Sequence, residues 1–282
     1  MRETDGWIVM MTDFGADNIG TAAMKGVAAS VDESLRLEDL THSIEPFNVW
    51  QASDALMYAE PFWPKGTVFV SVVDPGVGTK RRACVAKLKD GKFVVTPDNG
   101  TLTHLEEFIG VEEIREIDET VNRLKSTVKT SVFHGRDLFA YCGAKLAAGV
   151  ISFEEVGPAY PVSEIVRCPQ PLHAAWQEDT AYGEVTSVSR TFGNVFTNIP
   201  ISDLEAHGYE LNQKYHLNIS DGEETVYDGE IDYVRSFGFL SEGAPLIFNG
   251  STLYLCIACN QASFLKRYHM DPSKHWKVTL SK

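Results

Sequence analysis

Near-continuous apolar runs mark Trp7–Thr12 and Thr67–Val73, and further strand-like stretches follow at Arg82–Leu88 and Phe93–Thr96. Runs this short, rich in Val, Ile and Met, predict strands buried on both faces. Helices are predicted between and after them, at Gly20–Ser30, at Ser53–Glu60 before Pro61, and at Arg136–Ala148 before Gly149. The stretch Val128–Phe133 predicts one more strand. Strands alternating with helices imply an open, mostly parallel sheet, a Rossmann-like α/β domain over residues 1–165.

The pattern changes after Val156. Pro158, Pro161, Pro169 and Pro171 punctuate the chain, and residues 166–180 read as a linker. From 181 to 282 short strands dominate: Gly183–Ser189, Val195–Ile199, Tyr215–Ile219, Pro245–Phe248, Leu253–Cys259 and Trp276–Leu280. They predict a small β-barrel or sandwich. One helix is expected at Asp203–His207, with Ser202 and Glu205 spaced as a capping box.

Charge and cysteine content narrow the function. The 282 residues carry 25 Lys plus Arg against 39 Asp plus Glu, a net charge of −14. Such a field repels phosphate backbones, so nucleic acid is not an expected partner, while a small cationic substrate is compatible with it. The apolar stretch Trp7–Thr12 is too short for a signal segment and no run approaches a membrane span, so a cytoplasmic protein is expected. Five scattered cysteines make no disulfide framework. Cys256 and Cys259 lie three apart on an expected strand, where side chains point to opposite faces, which argues against a shared metal.

The candidate chemistry gathers at strand ends. Asp13, Asp74, Asp98 with Asn99, and His134 each follow an expected strand and sit beside glycine. In open α/β sheets that edge binds ligands, and glycine lets the backbone approach them. Each residue alone could be a turn former or helix cap. A tight Pro75-Gly76-Val77-Gly78 loop separates Asp74 from Arg81, so a hairpin-like return would pair them. Asp74, Arg81 and His134 could then hold one polarised water. Alternatively, Asp13, Asp74, Asp98 and His134 could bind a divalent metal for hydrolysis. The residues by themselves leave both open.

Five segments occur in order: Thr12-Asp13-Phe14-Gly15, Val73-Asp74-Pro75-Gly76-Val77-Gly78-Thr79-Lys80-Arg81-Arg82, Pro97-Asp98-Asn99-Gly100, Phe133-His134-Gly135-Arg136-Asp137 and Phe192-Gly193-Asn194-Val195-Phe196-Thr197-Asn198-Ile199. Together they resemble the S-adenosyl-L-methionine (SAM) hydroxide adenosyltransferases, relatives of the bacterial fluorinase and chlorinase. The resemblance implies an α/β domain followed by a β-barrel, a homotrimer with SAM held between subunits, hydrolysis of SAM to adenosine and methionine, and no metal or cofactor. By position it makes Asp74, Arg81 and His134 the water-handling triad. It puts Asp13 on the ribose, Phe47 and Phe237 on the nucleoside faces, Asn194 on the adenine edge and Ser251 near the methionine carboxylate.

The same resemblance separates water from halide. Halogenases of this fold carry Tyr where this chain has Asp74, a small hydroxyl residue or Gly in place of Val77, Tyr or a similar residue in place of His134, and a longer loop where this chain has the short Asp90-Gly91 turn. A carboxylate repels an approaching halide and accepts a hydrogen bond from water. Two segments depart from the family pattern at the amino-acid end of the substrate: Ser189-Arg190-Thr191, where an aspartate is expected, and the longer Asn249-Gly250-Ser251-Thr252. They leave a non-catalytic SAM or adenosine sensor as an alternative, beside the metal-dependent hydrolase and a halide-dependent SAM lyase.

Overall fold

The computed structural model describes residues 4–127 and 132–282. The chain divides into two compact units, Met1–Pro169 and Gln170–Lys282.

The first unit is built on seven strands: β1 (Trp7–Thr12), β2 (Arg36–Thr41), β3 (Val68–Val72), β4 (Ala83–Leu88), β5 (Phe93–Pro97), β6 (Val111–Glu116) and β7 (Ala159–Tyr160). Their order in the sheet is β2-β1-β3-β5-β4-β6-β7. Side chains alternate between two cores. Ile8, Met10, Val68, Val70, Phe93 and Val95 pack on one face, and Val9, Met11, Phe69, Val94, Leu102 and Leu105 on the other. Burial on both faces is why β1 and β3 read as unbroken apolar runs. Helices Ile19–Val31 and Tyr141–Ala147 cover the first face, and Val49–Ala59 and Thr103–Phe108 the second.

The sheet is mixed rather than mostly parallel. Strands β2, β1, β3 and β5 run parallel, but β4, β6 and β7 each pair antiparallel with the preceding neighbour in the sheet. The cause is local. The chain turns at Asp90-Gly91, where Gly91 has φ +88° and donates to the Leu88 carbonyl at 2.9 Å. So tight a return can join only antiparallel strands. Of the strand expected over Val128–Phe133, residues 128–131 lie outside the described residues, and Val132 and Phe133 form no strand.

The second unit holds β8 (Ala175–Gln177), β9 (Thr180–Val188), β10 (Val195–Pro200), β11 (Gln213–Ser220), β12 (Thr225–Tyr233), β13 (Pro245–Asn249), β14 (Tyr254–Cys259) and β15 (Lys277–Ser281). Pairing runs β10-β14-β13-β12-β11-β15-β9 and returns to β10, which closes a seven-stranded barrel with β8 attached to β9. Closure removes exposed strand edges. Leu255, Ile257 and Cys259 belong to the barrel core and Cys256 does not, as period-two alternation requires.

Two stretches behave differently from their sequence signals. Within residues 166–180, the Val166 and Cys168 amides bond to Asp98 and Thr103 of the first unit, whereas β8 joins the barrel sheet. The helix after β10 is Ile201–Ala206, capped by Pro200 with no side-chain bond, so Ser202 and Glu205 form no capping box. Pro200 fits that place because it is preset for an extended residue before the first turn. No helix among the described residues is long and apolar enough to cross a membrane.

Candidate active site

Strands β1 and β3 are parallel neighbours, so Asp13 and Asp74 leave the sheet at the same edge. After Asp74 the chain makes two successive turns, Val77 N–H to the Asp74 carbonyl at 3.2 Å and Thr79 N–H to the Gly76 carbonyl at 3.1 Å. They return Arg81 to its starting point. Arg81 Nε donates to both Asp74 oxygens at 3.0 Å, and Nη2 donates to Oδ2 at 2.5 Å. Gly76 makes room for this: a Cβ there would sit 3.2 Å from Arg81 Cγ. The side chains are only 5% and 10% exposed, so this charge-assisted fork lies out of bulk water.

Arg81 also reaches His134. Its Nη2 lies 3.0 Å from His134 Nδ1. A guanidinium has donors only, so Nδ1 must accept, and the neutral imidazole carries its proton on Nε2. Nε2 is buried without a hydrogen-bond partner among the described residues. Burial first, and then the positive charges of Arg81 and Arg123, hold His134 below the ordinary imidazole pKa. The same protonation state therefore follows from hydrogen-bond chemistry and from electrostatics.

His134 precedes a π-helical segment, Gly135–Ala140, that runs into helix Tyr141–Ala147. In an α-helix, residues five apart point about 140° away from each other. An i→i+5 register brings them nearly together. Phe139 thus meets the same guanidinium as His134, with Arg81 Cζ 5.1 Å from its ring centroid. Helical periodicity in the sequence hides this partner, because the signal that would find it is a register the sequence does not announce.

Asp13 and Phe47 meet in the same cavity. The Phe47 amide donates to Asp13 Oδ2 at 2.8 Å, with Phe47 at φ +67° and its side chain 71% exposed. Asp13, Phe47, Asp74 and His134 all line this cavity of about 280 Å³, with Val77 and Phe133 among the apolar wall.

Asp98 does not join them. Its carboxylate accepts from Tyr160 Oη at 3.0 Å and the Val166 amide at 2.9 Å, and is buried on the β4 side. The four-ligand metal site is therefore not assembled, and no cluster of three His, Cys, Asp or Glu side chains suited to an ion occurs among the described residues. Asn99 turns the other way and braces the Val73 carbonyl at 2.9 Å, immediately before Asp74.

A second cavity, about 720 Å³, lies in the barrel unit. Asn194, Phe237, Phe192, Asn260, Gln261 and Ser263 line it. Asn194 is presented by a tight turn in which the Gly193 amide donates to the Ser189 carbonyl at 2.6 Å. Only glycine fits there: φ is +73°, and a Cβ would fall 1.9 Å from Ser263 Oγ. Phe237 is held by Phe248, with centroids 4.7 Å apart. Ser251 does not line this cavity; it sits in an exposed turn where Gly250 packs against Tyr254 and Cys256 of β14. Arg190 is exposed and also lies outside the lining. The Asn249 amide oxygen is taken by the Tyr233 hydroxyl.

Residues 8–157 match the family model for the SAM hydroxide adenosyltransferase N-terminal domain, and residues 183–277 the one for its C-terminal domain. An (R)-S-adenosyl-L-methionine hydrolase of Salinispora tropica is 34% identical over 97% of both chains. A fluorinase of Actinopolyspora mzabensis is 28% identical, again over 97% of each. A crystal structure of an uncharacterized conserved protein from Thermotoga maritima superposes with a TM-score of 0.88 at 31% identity, covering 98% of this chain and all of that one. With both domain models matched in order across most of its length, this chain belongs to the SAM hydroxide adenosyltransferase family.

Proposed function

We propose that this protein hydrolyses SAM to adenosine and methionine. Water attacks the ribose C5′ carbon in line with the C5′–S bond. The C5′–O bond forms, and the electron pair of the breaking bond neutralises the sulfonium as it leaves as the methionine thioether. One proton is released from the attacking water. The sulfonium is already an activated leaving group, so the reaction calls for a placed nucleophile rather than a cofactor.

The observation that carries this reading is Arg81 bridging Asp74 and His134. His134 Nδ1 is occupied by a donor, so the imidazole is not the base at that atom. Asp74 Oδ1 accepts only one of the Arg81 bonds and has a lone pair left, so it accepts the proton of the attacking water. Arg81 anchors that carboxylate and favours hydroxide character in the water. A halide approaching the same wall would meet the Asp74 carboxylate, which favours water over fluoride or chloride in this member of a family that includes both chemistries.

Asp13 accepts the ribose hydroxyls, Phe47 and Phe237 cover the nucleoside, and Asn194 reads the adenine edge. The water-handling residues line a cavity of the first unit and the base-reading residues one of the second; the family resemblance supports a homotrimer in which neighbouring subunits supply the two halves of the SAM site. Mixing inactive Asp74→Asn protein with weak-binding Asn194→Ala protein under subunit exchange, at SAM far below the KM of the latter, should raise turnover above that of the two proteins assayed apart if sites are shared. A mixture that shows no gain while native mass spectrometry reports mixed oligomers would contradict the shared site. The enzyme is expected in the cytoplasm, where SAM is made.

A further inference from the structure

The turn that carries Asp13 is tied to residues outside the cavity. The bulge in β2, where Met10 pairs with Asp39 and Met11 with Thr41, re-aims the end of that strand. His42 follows immediately and is buried. Its Nδ1 lies 2.9 Å from Thr12 Oγ1, and its carbonyl accepts the Gly15 amide at 2.7 Å. Thr12 Oγ1 also accepts the Phe14 amide at 3.2 Å, so this hydroxyl joins the histidine to the backbone of the Asp13 turn. His42 Nε2 lies 3.0 Å from Asp39 Oδ1, an ion-pair approach without hydrogen-bond alignment. Asp39 Oδ2 in turn meets Lys25 Nζ at 2.6 Å. His42 therefore grips Thr12-Asp13-Phe14-Gly15 at both ends, and the loop it begins ends at Phe47, whose amide caps Asp13.

We infer that His42, set by Asp39 and acting through the Thr12 hydroxyl, is a positioning residue that fixes the Asp13–Phe47 nucleoside seat. The inference rests on the reading of Asp13 and Phe47 as nucleoside contacts. His42 touches neither Asp74 nor Arg81 in any hydrogen bond, so its role is in holding substrate rather than in activating water. The geometry gives a reason for a buried histidine beside a strand end that the water chemistry does not use. Lys25 and Asp39 place the outer end of this chain at the surface, where their side chains are 35% and 40% exposed.

The test is a pair of substitutions at Thr12. Thr12→Val keeps the shape and removes the hydroxyl, while Thr12→Ser keeps the hydroxyl. Adenosine affinity is read by calorimetry, and SAM turnover as separate kcat and KM. Thr12→Val should raise the adenosine Kd and the KM about tenfold, the loss of about one net hydrogen bond. Its kcat should stay within about threefold, and Thr12→Ser should behave like wild type. Asp39→Ala, at a more exposed position, should weaken adenosine binding about threefold. Wild-type Kd in both Thr12→Val and Asp39→Ala overturns the inference. So does a Thr12→Val protein that loses kcat and melting temperature together at unchanged KM. Wild-type protein that neither binds adenosine nor consumes SAM would instead remove the hydrolase reading on which the inference stands.

Discussion

The two cavities differ in kind. In the α/β unit the wall holds Asp13, Asp74 and His134, backed by Arg81. Its polar atoms are locked by short charge-assisted bonds at strand ends. In the barrel unit the wall is neutral, with amides, hydroxyls and aromatic rings, and it is the larger of the two. The contrast supports the proposal that chemistry belongs to the first and base recognition to the second. Parallel strand ends put several chain segments at one edge, so charges far apart in sequence can converge and neutralise one another there. A closed barrel offers turns between strands, which suit the shallower work of stacking and amide pairing.

The contrast can be broken by substitution. The largest effect is expected for Asp74→Asn, which removes the proton acceptor and leaves Arg81 unpaired: kcat should fall by about a thousandfold while adenosine still binds. Turnover close to wild type in a folded Asp74→Asn protein would remove the charged cavity from the chemistry. Arg81→Lys comes next. A point charge cannot span Asp74 and His134 together, so kcat should fall about a hundredfold with little change in KM. Asn194→Ala should do the reverse, raising the adenosine Kd about tenfold for a lost amide contact while kcat holds within a few fold. An unchanged Kd would take adenine recognition away from the barrel cavity.

The smallest effect is that of pH. His134 is held below the ordinary value of 6.5, so it stays neutral in the folded protein while an unfolded chain would take up a proton. Stability is therefore flat above pH 6.5 and declines as pH falls from 6.5 toward the folded value. Turnover should keep its plateau through pH 6.5 and decline only below it, because the protonated ring loses the Nδ1 acceptor that Arg81 requires. Adenosine affinity in the neutral barrel cavity should not follow that limb. A kcat limb centred at or above pH 6.5 would contradict the tautomer assigned to His134.

Much of this was legible in the chain. Strands β1 and β3 declared themselves because both faces are buried, and the spacing from Asp74 to Arg81 foretold their return. Strands β2 and β6 did not: Arg36-Leu37-Glu38-Asp39-Leu40-Thr41 and Val111-Glu112-Glu113-Ile114-Arg115-Glu116 are mostly polar. They stand where one side or one end of the sheet meets solvent, so composition hides them. Asp98 looked like a site residue because it follows a strand beside glycine, and only three-dimensional packing shows its carboxylate committed to Tyr160 and Val166. Phe139 escaped because α-helical periodicity separates it from His134. Local signals locate strand ends well. Where a side chain turns after a strand end depends on neighbours that no local pattern names.

The most direct measurement is to incubate the purified protein with SAM in ¹⁸O-labelled water, with EDTA and without added halide, and to analyse the products by mass spectrometry. Displacement at C5′ by water predicts adenosine bearing one ¹⁸O and unlabelled methionine in equal amounts, unchanged by EDTA. Intact SAM, unlabelled adenosine, or turnover that appears only when halide or a divalent metal is supplied would contradict it.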